Sequence, residues 1–409
     1  MSLQYEVAHT NFKNFIRSFL LNKKHKFNKQ TFFLIHNMDG KNSIEDLKRK
    51  FKARFLIELT DESLKRLIRK LKKLNLILRN KNGYPLTSFS RYYISKLKKR
   101  YKAIFKKKKI RDAIFDGLMY KANPRGLTAD LKKCFASVNE KKLCHILRKI
   151  NILKGVIVPH SNMELSGTCA AWAYKAIELM GLPDIVILLV PNHATQLRKY
   201  PFAVCKKSFR MPFGIVQVDK SFISRLAKGC VFNIFQEDLA YAYEHAIEIQ
   251  LPFLHFIYNS THKYLSIVPI ICNLSYFRRY KKYSGKLVRQ FLHTLRSCIA
   301  GSRERVLVIA SGDLHHQRGL KISADFHEKN QKIIQAMENA KKKSLHILKK
   351  EGIYTCCQDP FLTFLEVLKP KQGFLLDYSW SGRKNPLQKS KRKIQYDWIG
   401  QIGFASMVF

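Results

Sequence analysis

Three short apolar runs in this chain each end at a histidine. Gly155-Val156-Ile157-Val158-Pro159 leads into His160, and Ile185 to Val190, followed by Pro191-Asn192, leads into His193. Val306 to Ala310, followed by Ser311-Gly312-Asp313-Leu314, leads into His315 and His316. A neutral imidazole is the commonest protein ligand for transition metals and a proton carrier near neutral pH. Thr355-Cys356-Cys357-Gln358-Asp359-Pro360 adds thiols where a helix is expected to start, with Pro360 suited to its first turn. A cysteine near a helix N-terminus or a metal has a lowered pKa and supplies thiolate. Two histidines and one anionic donor, with positions left open, make a metal centre that can also take a substrate. A thiolate as the anionic member biases that centre toward iron, copper or zinc. Asp313, three residues before His316, is near enough to orient an imidazole or accept its second proton.

Residues scattered over more than 150 positions can meet only if the fold brings them together. Apolar runs without alternation read as strands buried on both faces, as in a helix-covered parallel sheet. Ligands of such sheets sit in the crevice beyond the carboxyl ends of the strands, where all three histidine groups would lie. Expected strands are Val156–Pro159, Ile185–Val190, Leu265–Ile270, Val306–Ala310 and the terminal Ile399–Phe409 region. Expected helices are Thr168–Met180, Ala240–Phe253, Tyr283–Ala300 and Ala324–Lys349. No repeat of 20–50 residues is visible, which removes solenoids. This alternation predicts an α/β domain over residues 110–409, a three-layer sheet with helices on both faces.

Residues 1–93 read as a small winged-helix-like α+β module. Thr31 to Met38 is an apolar stretch stopped by Asp39-Gly40. Ser43-Ile44-Glu45-Asp46 has the form of a helix start, with Leu47, Phe51 and Phe55 at helical spacing. Thr60-Asp61-Glu62 opens another helix, with Leu64, Leu67, Ile68, Leu71 and Leu74 on its apolar stripe. Leu76-Ile77-Leu78 and Asn82-Gly83 suggest a short hairpin. Residues 94–109, with Lys106 to Lys109, form a basic linker.

At 409 residues and 46% apolar composition the chain is too long for one ordinary core and too apolar for wholesale disorder. Nine cysteines without a CxxC pair fit a reducing cytosol better than a disulfide framework. Met1 to Thr10 lacks the pattern of a secretory signal, and no apolar run reaches the length of a bilayer span. The expected location is the cytoplasm. The formal net charge is +47, and residues 1–110 hold 30 Lys and Arg against seven Asp and Glu, a net of +23. Charge of that density draws in a polyanion, nucleic acid or acidic peptide, unless it reflects a lysine-rich proteome.

Glu244-His245-Ala246-Ile247-Glu248 is expected to put Glu244 and Glu248 on one helix face, with His245 beside Glu248. It is not a His-Glu-x-x-His zinc motif, which needs two histidines four apart. His25, His145, His262 and His346 sit among lysines or on helix faces and read as surface residues. The sequence has no glycine-rich phosphate loop, so nucleotide hydrolysis has no support.

Six motifs in order give a resemblance to a known family. Arg111-Asp112-Ala113, Gly117, Tyr120 and Pro124 resemble the opening of a Memo domain. So do Pro159-His160 with Ser166-Gly167, Pro191-Asn192-His193, Glu244 to Pro252, Ser311 to His316, and Gly403 to Phe409. The N-terminal module is similar to the winged-helix part of longer prokaryotic members, AmmeMemoRadiSam system protein B. The Memo family resembles the class III extradiol dioxygenases in fold and in the position of its metal site. That resemblance implies His160 and His193 as metal ligands, and Cys356 where the dioxygenases have a glutamate. His316 stands in the place of their acid/base histidine and Asp313 in that of its neighbouring aspartate. His245, Glu248 and Asn192 are expected around these, against substrate or bracing the ligands. Two departures stand out: Ser161-Asn162-Met163 replaces the usual Ala-Gly-Tyr, and Cys357 replaces the glycine that follows the site cysteine.

The resulting expectation is a metal-dependent, redox-capable enzyme using iron or copper, with zinc as a further candidate. The resemblance implies work alongside a radical SAM enzyme and an AMMECR-domain protein. The competing reading is a non-catalytic binding protein for acidic peptides, phosphopeptides or nucleic acid.

Overall fold

The computed structural model describes residues 43–55 and 58–73, and from residue 105 onward all but 106, 118, 194–198, 236–237, 260, 262, 275–283, 318–321, 342–344, 346–347, 349–350, 354, 384–385 and 388–400. It divides into two compact units, one reaching to Lys107 and the other built from Lys108–Arg392 and Tyr396–Phe409. Within the first, helices α1 (Ile44–Phe55) and α2 (Asp61–Lys73) form where the Ser43 and Thr60 starts predict them. Ser43 Oγ accepts from the amide of Asp46, and Thr60 Oγ1 from that of Ser63. Leu47, Phe51, Leu64 and Ile68 are buried. The apolar stretch at 31–38, the hairpin expected at 76–83 and most of the linker lie outside the described residues.

The second unit is a mixed α/β domain around one large sheet. Its strands are β1 (Ile110–Asp112), β2 (Gly155–Val158), β3 (Ile185–Pro191), β4 (Phe202–Val204), β5 (Ser208–Met211), β6 (Gly214–Val218), β7 (Ser266–Cys272), β8 (Val306–Ser311), β9 (His316–Gln317), β10 (Phe374–Trp380) and β11 (Gln401–Val408). They run in the order β1-β5-β6-β7-β3-β8-β2-β11-β10, with β4 beside β7 and β9 beside β11. From β6 to β2 the neighbours are parallel; β11 turns antiparallel against β2 and β10. Strands β2 and β3 are buried along their whole length, so their continuous apolar runs have no polar face to present.

Helices α3 (Pro124–Ala136), α4 (Glu140–Leu147), α5 (Met163–Leu179), α6 (Lys220–Gly229), α7 (His245–Glu248), α8 (Leu251–Tyr258), α9 (Ser284–Ala300), α10 (Phe326–Glu338) and α11 (Gln358–Leu368) complete the domain. Helix α5 packs on β2, β10 and β11, while α11 packs on β3, β7 and β8. Asn123, Asn139 and Asp219 cap α3, α4 and α6, each accepting from an amide in the first turn and satisfying a donor the helix itself leaves orphaned. Among the described residues no helix is long and apolar enough to cross a membrane.

Two expected helices differ from the observed ones. Residues 240–253 are not one helix but a 3-10 turn at Asp238–Tyr243, then α7, then α8. Glu244 is extended, at φ −86° and ψ 119°, and caps α7, while α8 starts afresh at Leu251 with Pro252 in its first turn, so the chain is not one continuous helix. Glu244 and Glu248 therefore do not share a helix face, and their carboxylates take different partners. The helix expected over Ala324–Lys349 ends as α10 at Glu338, where Ala340 turns left-handed at φ 50°.

Arg111 and Glu248 tie the start of this domain to α7. Their side chains are sealed from water and meet at 2.5 Å. Glu248 also accepts from the amides of Ile114 and Phe115 and from the Tyr120 hydroxyl at 2.7 Å. Arg111 also donates to the carbonyls of Tyr241, Glu244 and Asp112. Removing one partner leaves an uncompensated buried charge, typically a loss of about 3–5 kcal/mol. Arg111→Met should therefore lower unfolding stability by about that amount in a denaturant titration. Arg111→Met with Glu248→Leu should recover part of the loss; a single variant as stable as the parent contradicts the account.

Candidate metal centre

Strands β3, β8 and β2 are adjacent and parallel, in that order, so their carboxyl ends open on one edge. His193, Asp313 and His160 each stand two residues past the last residue of one of them. Register aligns Val158 with Ser311 and Leu189 with Ala310. Gly312 lets the loop after β8 pass close: a Cβ there would come within 2.6 Å of the Cys357 Cβ and 2.4 Å of the Phe361 ring. Cys356 and Cys357 lie just ahead of α11, which the sequence predicts to start near Pro360. Thr355 holds them in place, its hydroxyl donating to the Asp313 carbonyl and accepting from the Cys357 amide.

These elements bring five donors together. His160, Cys356 and Cys357 offer ligand atoms within 4.8 Å of one another, and so do His160, His193 and His245. Cys356 Sγ is 3.5 Å from His160 Nε2 and 3.7 Å from His316 Nε2. The rings of His160 and His193 meet edge-on with centroids 5.0 Å apart, and His245 stacks on His193 at 4.4 Å. His160 and His193 are buried, whereas 22% of the His316 side chain is exposed. The cluster thus has a closed side and an open one, with His316 and the half-buried Cys356 toward solvent.

Hydrogen bonds fix which nitrogen each buried histidine presents. The Gln250 amide nitrogen donates to the Pro159 carbonyl and to Ser311 Oγ, while its oxygen accepts from the Tyr174 hydroxyl. A carbonyl cannot donate, so this amide has only one consistent orientation. Ser311 Oγ donates its single proton to the Ala246 carbonyl at 2.9 Å. Having also accepted from Gln250, it can only accept from His160 Nδ1, 3.1 Å away. His160 therefore carries a proton on Nδ1 and turns Nε2 toward the sulfurs. His193 follows the same rule: its Nδ1 donates to Glu244 Oε1 at 2.8 Å, and its own amide donates to Oε2 at 2.8 Å. Partners of this kind on the far nitrogen are what metal-ligating histidines carry.

Charge is compensated inside the cluster. Burial opposes ionisation of Glu244, yet His193 beside it holds its carboxyl down at about 2. Burial likewise opposes a charged His193, but Glu244 and Cys356 raise its pKa well above the ordinary value. Burial and the neighbouring His193 push His245 down to about 3, so this ring is neutral. A hydrogen bond from Cys357 outweighs burial and, with His316 and His160, favours the Cys356 thiolate. Cys357 is pushed the other way, by burial and by the sulfur next to it. Asp313 is raised by burial; it accepts from the His160 amide at 2.9 Å and lies 3.9 Å from Nε2 of both His160 and His316. Burial would lower His316, but Cys356 and Asp313 raise it.

His160, His193, Cys356, His316 and Asp313 thus lie together, with His245 against His193. Asn192 precedes His193 at the end of β3. Glu248 is outside the group, because its oxygens are engaged by Arg111, Ile114, Phe115 and Tyr120. His315 departs from its neighbour: its amide donates to Asn330 and its ring lies 6.1 Å from that of Phe326 on α10. Gly403 makes room for Asn330, since a Cβ there would fall 2.0 Å from its side-chain oxygen. Ser311, Gln250 and Tyr174 have no signal in residue spacing. Their roles depend on sheet register and on the bend at Glu244.

Ser311→Ala should strip the acceptor from His160 Nδ1 while leaving every donor of the cluster in place. Losing a partner of this kind typically costs 10–100-fold in metal affinity. Competition with a chromophoric chelator should show that loss with unchanged stoichiometry at saturating metal. Affinity should also fall as pH is lowered, since a bound metal displaces the proton that His193 shares with Cys356.

Comparison with known proteins agrees with the motif order. Residues 111–393 match the family model described as Memo-like protein. A MEMO1 family protein of Methanopyrus kandleri is 27% identical over 301 residues, covering 72% of this chain and 96% of its own. MEMO1 family proteins of Ignicoccus hospitalis and Sulfolobus acidocaldarius are 28% and 29% identical over 242 and 230 residues. Those two alignments cover 58% and 55% of this chain and 78% and 75% of the relatives. The family match spans well over half the chain and takes in Arg111, all three histidine-bearing strand ends and the paired cysteines; the chain belongs to the Memo family.

Proposed function

We propose that this chain is a metal-dependent, redox-capable enzyme whose transition metal is held by His160, His193 and Cys356. The observation that carries the reading is the tautomer lock. Ser311 and Glu244 occupy Nδ1 of the two histidines, leaving Nε2 of each as the ligating atom. The spacing of Cys356 and His160 suits a shared metal as well. Ligand bonds of about 2.05 Å to nitrogen and 2.3 Å to sulfur at a tetrahedral angle separate the two donors by about 3.6 Å. The separation between Cys356 Sγ and His160 Nε2 is 3.5 Å. Iron and copper are the ions this reading favours, with zinc accommodated by the same donors.

A bound metal supplies Lewis-acid polarisation of a substrate oxygen and lowers the pKa of whatever hydroxyl or water it holds. The chain's own residues do the rest. His316 stands on the open side and holds or moves a proton at Nε2. Asp313 braces it and, through the His160 amide, keeps the two histidines in register. Helix α7 and the bend at Glu244 wall off the far side. The full reading places the chain in the AmmeMemoRadiSam group, working with a radical SAM enzyme and an AMMECR-domain protein in the cytoplasm on a modified peptide or protein. A winged-helix module at the N-terminus and helices on both faces of the sheet belong to the same reading.

The density of positive charge favours a second role beside the first. Residues 1–110 carry +23, which suits an acidic peptide or nucleic acid. Binding by counterion release must weaken steeply with salt. Full-length protein with the N-terminal lysines changed to glutamine should lose DNA affinity and salt slope together; unchanged binding assigns the charge to no partner.

Elemental analysis of freshly purified protein tests the first reading. About one transition metal per chain is expected, lost in His160→Ala and in His193→Ala but kept in His316→Ala. The His316 variant should lower turnover of an identified substrate about 10²–10⁴-fold, the usual worth of a positioned acid/base. Ring cleavage of simple catechols is expected to be absent, because a thiolate takes the place of the carboxylate. Equal metal content in all four proteins overturns the shared centre, and metal lost from His316→Ala makes that residue a ligand.

A further inference from the structure

We propose that Cys357 is a second thiolate ligand at this centre, which makes it in this chain a two-sulfur site selecting closed-shell thiophilic ions, zinc(II) or copper(I), over iron(II). The inference rests on the metal reading above and sharpens it to a class of metal. Its starting point is the polar surroundings of a thiol that is sealed from water. A cysteine buried for packing acts as a small apolar group. Cys357 Sγ instead accepts a hydrogen bond from the Asp313 amide at 3.1 Å, lies 3.0 Å from Cys356 Sγ and 3.8 Å from His160 Nε2.

Those separations suit a shared ion. Against a nitrogen-to-sulfur edge of about 3.6 Å in a tetrahedral site, the two sulfurs lie 3.5 and 3.8 Å from His160 Nε2. The corresponding sulfur-to-sulfur edge is about 3.8 Å. The pair stands at 3.0 Å, so ligation asks the sulfurs to part by less than an ångström. Ligation requires Cys357 to give up its proton to solvent, since both sulfurs must bind as thiolates. The Asp313 amide then becomes a donor to thiolate, a charge-assisted bond. The amino-terminal end of α11 adds its positive partial charge to the same place.

The backbone is shaped around this second sulfur. Gly312 has no Cβ where one would fall 2.6 Å from that of Cys357, and Thr355 Oγ1 accepts the Cys357 amide. Two thiolates beside the His160 imidazole form a sulfur-rich donor set of the kind that zinc and soft copper(I) prefer, whereas iron(II) favours sites with fewer sulfurs and more oxygen. The position that holds glycine in the resembling family would, in this chain, change the metal.

Cobalt(II), a coloured stand-in for zinc, reports the number of bound thiolates through its near-ultraviolet charge-transfer band. Full-length protein, freed of metal by chelation and kept reduced with a phosphine, should be titrated with cobalt(II) alone. The parent should show a two-thiolate band. Cys357→Ser and Cys356→Ser should each halve it, and the double variant should abolish it. Each is read on protein with the parent's circular dichroism, and Cys357→Gly replaces Cys357→Ser where that variant fails to fold. In competition, the preference for zinc(II) over iron(II) should fall at least ~10-fold in the Cys357 variant, on the scale of losing one good ligand. A band undiminished by changing Cys357, or an unchanged preference, overturns the second ligand and leaves the first reading standing. Failure of the parent to bind cobalt(II) at all overturns both.

Discussion

The fold places its cluster through one buried charge pair. Sealing the Glu248 carboxylate from water is costly unless every lone pair finds a partner, and this chain supplies Arg111, two backbone amides and the Tyr120 hydroxyl. The same guanidinium reaches the Glu244 carbonyl. Glu244 is thereby pinned in an extended conformation at the head of α7, where its side chain meets His193. The ion pair therefore has two effects, anchoring the first strand region and aiming the carboxylate that orients His193. A hydrophobic pair of equal volume could replace the first effect but not the second.

Sheet order provides the other half of the geometry. The order β3-β8-β2 makes neighbours of three strand ends that are far apart in sequence. Register then sets Ser311 opposite Val158, so its hydroxyl falls under the His160 ring. Three hydrogen bonds exhaust that hydroxyl and leave His160 one tautomer. The lock on His160 uses only neutral groups, whereas the one on His193 uses the buried Glu244 carboxylate.

Much of this was legible in the sequence, and the reasons are physical. Unbroken apolar runs such as Ile185 to Val190 announce strands buried on both faces, and all five expected strands appear within a few residues. Histidines that follow such runs must lie at the carboxyl edge. Short strands such as β4, β6 and β9 were not legible, because two to five residues carry too little periodicity. The continuous helix expected over 240–253 failed for a different reason. Its residues have good helical spacing, but Glu244 gains more from His193 and the Ala246 amide than from an unbroken helix. Tertiary bonding overrode local preference at a residue tied to the cluster.

The paired cysteines show how far one substitution carries in such a setting. Glycine after Cys356 would leave a single sulfur donor against two locked imidazoles. A thiol at that position enters a space already built to hold charge: an amide points at its sulfur, and a helix terminus lies behind it. Burial disfavours a thiolate there, and Cys356 next to it disfavours it further. Two adjacent sulfurs in a dry site therefore share one proton or require a cation. A cation of high affinity for sulfur satisfies both at once, whereas a harder ion leaves the second thiol protonated. In the reading proposed above, the metal preference would follow from electrostatics at a single position, with the surrounding hydrogen bonds unchanged.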